Sequence, residues 1–257
     1  MQAGRPATVA GTPVVTLDTV SSTNEEALQR ARSGTHGPLW ITATEQSAGR
    51  GRQLRKWASP PGNLYASLLL TDAAPLQRAA ELSFVCALAL HDALAQCAPV
   101  IADRLTLKWP NDLLLDDAKV AGILIEAEGG GVKPLSVVIG FGVNCASHPL
   151  DAPYPATDLA ACGAPLAPTL LFDALAATMA ERLAQWARGA NFAGIRLDWL
   201  RRAGGIGAPI RVRTGKRDFV GIFADLDASG RIVVTLPDGA SETVSAGEVF
   251  PIEQAYA

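Results

Sequence analysis

Apolar and polar positions alternate in short, legible runs along this chain. Val14-Val-Thr-Leu17 reads as a strand behind an Ala/Gly/Pro/Thr-rich start, and residues 1–13 are expected to form a loose tail. Ser22, with Glu25 three residues on, fits a capping box, and Ala27–Arg32 carry a helix toward Gly34. Leu39-Trp-Ile41 and Leu64–Leu70 read as strands, with Ser59-Pro-Pro-Gly-Asn63 a turn before the second. Pro75 opens a helix to about Cys97 that is apolar all round, so it is expected to lie buried against a sheet, with His91 a core or edge histidine.

Leu105-Thr-Leu-Lys-Trp109 alternates as a strand does and halts at the turn signal Pro110-Asn-Asp112. Leu113-Leu-Leu115 is expected to resume that strand, and Lys119–Glu126 to return after Asp116-Asp-Ala118, a hairpin pattern. Strand parity sets Lys119 on the face of Ala121, Ile123 and Ile125, so it either snorkels at the sheet edge or points at a ligand. Gly129-Gly-Gly131 marks a further turn, and Val137–Asn144 is an apolar run expected to be covered on both faces. Within it, Gly140 and Gly142 imply close approach by another backbone or a flat ligand, or a bulge.

Residues 145–168 form a Pro/Ala/Gly-rich connection, followed by helices over Thr169–Gly189 and Phe192–Arg202. After Gly204-Gly205 the texture changes to short strands at Ile210–Arg213, Asp218–Phe223, Ile232–Leu236 and Glu242–Val244, punctuated by Gly turns, which suggests a small barrel. The expected fold class is α+β, a mixed, mainly antiparallel sheet backed by helices, divided into residues 1–204 and 205–257.

Composition narrows the chemistry. With 49% hydrophobic and 18% charged residues among 257, the chain can bury a sizeable core. Its net charge of −3 excludes non-specific nucleic-acid binding, so any anion site must be a local patch. Cys86, Cys97, Cys145 and Cys162 form no Cys-x-x-Cys pair and read as free core thiols of a reducing, cytoplasmic compartment. No signal-peptide core is visible, and no run is expected to span a membrane.

One local patch stands out. Glu45-Gln-Ser-Ala-Gly-Arg-Gly-Arg-Gln-Leu-Arg-Lys-Trp57 sets Arg50, Arg52, Arg55 and Lys56 against Glu45 alone, between two strands. Gly49 and Gly51 are expected to give the backbone conformations closed to other residues. Such a loop reads as a solvated basic surface or as a clamp for a polyanion such as a nucleoside triphosphate. Ser21, Ser22, Thr23 and Asn24, at a helix N-terminus, read either as caps or as a polar cradle for a small ligand's carbonyl or carboxylate.

In order and spacing, Ser22-Thr-Asn24, Gln46-Ser-Ala-Gly-Arg-Gly-Arg52 with Arg55-Lys-Trp57, Lys108-Trp-Pro-Asn-Asp112, Lys119-Val-Ala-Gly-Ile-Leu124 and Gly140-Phe-Gly-Val-Asn144 resemble the biotin–protein ligases. The likeness is strong over residues 14–145 and weaker over the C-terminal part, which resembles the family's SH3-like domain. It implies a class II synthetase-like catalytic domain that activates biotin with ATP and Mg²⁺ as biotinyl-5′-AMP. The biotin then passes to a lysine of a biotin carboxyl carrier protein of a carboxylase. By the same resemblance Ser22, Thr23, Asn24 and Gln46 hold biotin, and Arg50, Gly51 and Arg52 fold over biotin and phosphates. Lys119 and Arg52 are the implied catalytic residues, and Trp57 covers the adenylate. Arg55, Lys108, Asn111 and Asp112 line the phosphates, Asp112 steering the metal without an assigned ligand set.

Some family members carry an N-terminal helix-turn-helix, and the Ser-Thr-Asn motif begins here at residue 22, too near the start for one. The implied form is therefore monofunctional, without DNA or membrane partners, and a monomer or a weak ligand-promoted homodimer. Gln53-Leu54 make the loop less basic and less glycine-rich than in some members. The alternatives are a lipoate or other acyl–protein ligase, separated by binding of biotin against lipoate, and a non-enzymatic biotin-binding module, separated by pyrophosphate release.

Overall fold

The computed structural model describes residues 7–130, 133–215 and 217–252. The expected tail lies outside these as far as residue 6; beyond it, Thr8–Val9 (β1) and Thr12–Val20 (β2) form a hairpin. Its turn is Ala10-Gly11, both at positive φ (45° and 78°), the geometry that joins two twisted strands through two residues.

The chain continues through Thr23–Arg32 (α1), Leu39–Gln46 (β3), Leu64–Thr71 (β4), Leu82–Cys97 (α2), Leu105–Lys108 (β5), Asp112–Leu115 (β6), Ala118–Gly130 (β7) and Lys133–Val143 (β8). These strands build one sheet in the order β1-β2-β3-β4-β8-β7-β6-β5. β2 and β3 run parallel and the other pairs antiparallel, as the expected mixed, mainly antiparallel sheet requires. Helices Pro168–Trp186 (α3) and Phe192–Leu200 (α4) follow. Of the expected turn at 129–131, Gly131 lies outside the described residues.

β4 and β8 read as unbroken apolar runs because both of their faces are covered. On one face Leu68, Ile139 and Phe141 join α2 and α3 in the main core. On the other, Leu69 and Val138 meet Ala27 and Leu28 of α1 in a second, smaller core. The stretch Gln77–Cys97 differs from expectation: by length and composition alone it is apolar enough to cross a membrane. Most of it is buried within the protein, with Val85, Leu88 and Leu94 in the main core. Its first turn is a 3-10 helix, Leu76–Glu81, and His91 is buried within α2, as expected.

Leu113–Leu115 do not resume the preceding strand. β5 and β6 pair antiparallel, Lys108 opposite Asp112, so Trp109–Asn111 form a hairpin turn and β7 returns as a third strand. Cys86 and Cys145 are buried, but Cys97 and Cys162 are half-buried, and all four are free thiols.

The C-terminal sheet runs β12-β11-β10-β9-β13 from Pro209–Arg213 (β9), Asp218–Leu226 (β10), Ile232–Thr235 (β11), Ser241–Val244 (β12) and Glu248–Pro251 (β13). β13 was not expected; its short Glu-Val-Phe-Pro run carries little pattern, and pairing with β9 defines it. This five-stranded unit packs onto the helices. Gly230, at φ +78°, lies so close to Phe84 that a Cβ there would come within 2.6 Å of the ring. The Trp109 indole N–H donates to the Gly230 carbonyl at 3.2 Å. Arg196 of α4 donates to the Leu226 carbonyl at 2.6 Å.

Trp109→Phe keeps most of the packing but leaves the buried Gly230 carbonyl without its donor. Urea unfolding should show a loss of about 1–3 kcal/mol; an unchanged midpoint would show that this bond does not hold the seam.

Candidate active site

The basic stretch is itself a hairpin. Gly51 N–H donates to the Arg55 carbonyl at 2.7 Å, and Trp57 N–H to Gly49 at 2.9 Å. Its left-handed residues are Gln53 (φ 56°) and Leu54 (φ 60°), not the glycines. Gly49 is needed instead for contact, because a Cβ there would stand 2.5 Å from the Ser59 hydroxyl and 2.6 Å from the Trp57 carbonyl, whereas Gly51 has room. The hairpin lies over a cavity of about 570 Å³ whose other walls are the start of α1, the β5–β8 end of the sheet, the loop at 153–155 and β13. Ser22, Thr23, Asn24, Gln46, Arg50, Gly51, Arg52, Arg55, Trp57, Lys108, Asn111, Asp112 and Lys119 all line it, whereas Ser21, read with them as part of a cradle, does not and is exposed.

One end is a neutral polar cradle. Ser22 is the N-cap of α1, but its side chain makes no capping bond and the capping box does not form, because Glu25 turns outward to Arg32 and Arg50. Gln46 Oε1 accepts from the Thr23 N–H (2.9 Å) and hydroxyl (3.2 Å), while Gln46 Nε2 donates to Ser59 (2.9 Å). The buried Ser67 hydroxyl sits 2.7 Å from Thr23 Oγ1 and 2.6 Å from Asn24 Oδ1.

The other end is cationic and carries its own counter-ions. Arg50 meets Glu126 at 3.1 Å and Glu25 at 3.3 Å. Arg52 donates to Asn111 Oδ1 (3.3 Å) and to the Gly247 carbonyl (3.4 Å), and Arg55 pairs with Glu248. Lys119 Nζ is 2.6 Å from Asp112 Oδ1, 5.5 Å from the Trp57 ring centre and 5.2 Å from that of Tyr154. Lys108 Nζ lies 5.6 Å from the Phe250 ring. Burial pushes the Lys108 ammonium below the ordinary lysine range; Asp112 and Glu248 oppose the shift, and Lys119 adds to it. Burial likewise pulls Arg52 down. For Arg50, burial works the same way, but Glu126 and Glu25 outweigh it and hold the guanidinium above its ordinary value.

Parity misplaced Lys119. A bulge between β6 and β7 sets Leu113 opposite Ala121 but Leu114 opposite Lys119, so the lysine leaves the core face. Its Nζ instead lies on the Gly122 side of the strand, within 3.3 Å of where a Cβ on Gly122 would be. Gly140 and Gly142 admit neither backbone nor bulge. A Cβ on Gly140 would stand 2.3 Å from Asn24 Oδ1, and one on Gly142 2.6 Å from Trp57 Nε1. Sequence reasoning missed Ser67 and Glu126, which sit inside apolar strands, and Glu248 and Phe250 on β13. It also missed Tyr154, whose only signal was an aromatic between prolines in an irregular loop.

A description reading "Biotin/lipoate A/B protein ligase family" matches residues 16–144, and "Biotin protein ligase C terminal domain" matches residues 205–250. The chain belongs to the biotin/lipoate protein-ligase family. Within it, the chain is similar to a biotin–[acetyl-CoA-carboxylase] ligase of Paracoccus denitrificans, 43% identical over 241 residues that cover 91% of this chain and 98% of the relative. Its fold is that of the biotin protein ligase of Aquifex aeolicus, solved with biotin and ATP (TM-score 0.78, 24% identity, 92% and 97% of the two chains). It is also similar to the biotin protein ligase of Leishmania major solved with biotinyl-5-AMP (TM-score 0.63, 25% identity, 91% and 98%). Its branch of the family is that of the biotin protein ligases.

Gly142→Ala would push the Trp57 indole off β8 and loosen the hairpin. Trypsin should then cut at Arg50–Lys56 about tenfold faster, as roughly 1.4 kcal/mol on loop opening requires; unchanged cleavage would show that Trp57 does not seat the hairpin.

Proposed function

We propose that this chain is an ATP-dependent biotin–protein ligase that works by positioning and charge neutralisation. The observation that carries the reading is one cavity with a neutral cradle at one end and Arg50, Arg52, Lys108 and Lys119 at the other. The carboxylate of biotin attacks the α-phosphorus of ATP, the bond to the pyrophosphate oxygen breaks, and biotinyl-5′-AMP forms. An amine on a carrier lysine then attacks the acyl carbon, loses a proton and expels AMP. No enzyme nucleophile is required. The gain comes from holding two anions together and offsetting their repulsion.

In this reading Ser22, Thr23, Asn24 and Gln46 shape the seat for the bicyclic ring. Arg50, Gly51 and Arg52 close over carboxylate and phosphates. Lys119 leaves Asp112 for the carboxylate–phosphate junction, flanked by Trp57, which covers the adenylate and keeps water from the anhydride. Arg55, Lys108 and Asn111 face the leaving pyrophosphate. Among the described residues no group of three His, Cys, Asp or Glu could hold a metal. Magnesium would therefore be bound chiefly by phosphate oxygens and water, with Asp112 the carboxylate nearest in kind.

The protein partner is a carboxylase carrier domain. A net charge of −3 offers no general surface for DNA. Free thiols suit a reducing cytoplasm. The division between catalytic and C-terminal units falls at 204/205, where the chain leaves α4 for the second sheet.

The direct test is pyrophosphate release from ATP with biotin and no carrier. A biotin-dependent burst of about one pyrophosphate per enzyme is expected where an adenylate is made and held. Release with lipoate instead would move the chain to the other branch of its family. Lys119→Ala should lower the burst rate about a hundredfold or more with the fold intact, the scale of losing one charge-stabilising group; near-normal release would remove Lys119 from the chemistry.

Lys108 makes the reaction pH-sensitive. Its depressed pKa means that its charge is lost at lower pH than for an ordinary lysine, so KM for ATP should rise early on the alkaline side. Lys108→Arg should move that rise to higher pH, and an unmoved profile would assign it to another group. Stability has the opposite sign: the folded state gives up this proton first, so the unliganded protein gains stability as pH climbs through the window below the ordinary lysine value.

A further inference from the structure

Glu126 lies on β7 and has no part in the roles above, yet its carboxylate joins two residues that line the cavity, Asn24 and Arg50. Oε2 accepts the Asn24 amide at 2.7 Å. Oε1 accepts Arg50 Nη2 at 3.1 Å, and Oε2 also lies 3.4 Å from that nitrogen. Asn24 cannot swing away, because Ser67 lies 2.6 Å from its Oδ1 and Gly140 backs it at a distance that excludes even a methyl group. One carboxylate therefore ties the floor of the neutral cradle to the first arginine of the basic hairpin. Glu25 also reaches Arg50, at 3.3 Å, but its other oxygen goes to Arg32 at 3.0 Å and it makes no bond to the cradle. Arg32 pairs in turn with Glu128. The charged groups around Glu126 are thus Arg50, Glu25, Arg32 and Glu128, and among these carboxylates it is Glu126 that bonds both Asn24 and Arg50.

We propose that Glu126 is a positioning residue that couples biotin binding beside Asn24 to the seating of Arg50 over the nucleotide. The inference rests on the ligase reading. A carboxylate can accept from two donors at once. A glutamine has one acceptor and one donor: with its oxygen toward Asn24 an N–H replaces the acceptor at the shorter Arg50 contact and leaves only the 3.4 Å one, and with its oxygen toward Arg50 an N–H faces Asn24, so one partner is weakened whenever the other is held. Coupling of this kind is reciprocal: the factor by which nucleotide tightens biotin equals the factor by which biotin tightens nucleotide.

The test is calorimetric titration of biotin, with and without a non-hydrolysable ATP analogue, into the wild type, Glu126→Gln and Glu25→Gln. In the wild type the analogue should tighten biotin about tenfold, the scale of one charged hydrogen bond. Glu126→Gln should weaken biotin about tenfold without nucleotide and shrink the enhancement to within about twofold. Glu25→Gln should keep the nucleotide-free affinity and most of the enhancement. Because the enhancement is a ratio within one variant, a general loss of stability does not imitate its disappearance. No enhancement in the wild type, a full one in Glu126→Gln, or an equal loss in Glu25→Gln would each overturn the proposal. Absence of biotin binding by the wild type would instead overturn the ligase reading.

Discussion

The site depends on a stretch of β8 that has no side chains to spare. Gly140 and Gly142 lie on one strand face, and any Cβ there would collide with Asn24 and Trp57. Those two contacts bring α1 and the basic hairpin down onto neighbouring positions of one strand. Without them the cradle and the cations would be separate surface features. A strand gives up packing and conformational economy when it carries glycine. β8 recovers this through Val137, Val138, Ile139, Phe141 and Val143, all buried, so its core neighbours hold it straight while its glycines receive other elements.

Arg50, Arg52, Arg55, Lys108 and Lys119, gathered beside one cavity, would repel one another and resist desolvation. Most of that cost is offset within the protein. Glu25 and Glu126 attend Arg50, Glu248 attends Arg55, and Asp112 attends Lys119. A ligand phosphate must therefore exchange with existing partners instead of entering an open positive field. That lowers net affinity per contact but preorganises the donors, and preorganisation is what stabilises a transition state. Arg52 and Lys108 are the exceptions: Arg52 donates to the Asn111 amide oxygen and the Gly247 carbonyl. Lys108 faces the Phe250 ring, and burial depresses its pKa.

The C-terminal sheet is part of the same construction. Trp109, at the hairpin turn between Lys108 and Asp112, spends its indole N–H on Gly230. β13 returns Glu248 and Phe250 to the cavity, and Gly247 accepts from Arg52. The second unit thus supplies one wall of the site and two anchors for the hairpin.

Much of this was legible in the chain itself. Hydrophobic periodicity announced most of the strands and the buried α2, though not β13 or the separate β6, because the side-chain period is set by backbone geometry. The glycine-arginine loop, the Ser-Thr-Asn start of α1 and the Lys-Trp-Pro-Asn-Asp turn supplied candidate site residues through their resemblance to the biotin–protein ligases, and the fold gathers them around one cavity. What the sequence could not decide was which groups meet across the fold. A bulge of one residue moved Lys119 from the core face to the cavity, and nothing local announces a bulge. Glu25 looked like a capping partner and became a counter-ion for Arg50, since only the folded sheet puts them within reach. Ser67 and Glu126 looked like isolated polar residues in apolar strands. Tertiary structure made them the links between Thr23, Asn24 and Arg50, because hydrogen bonds depend on distances between strands and helices that lie far apart along the chain.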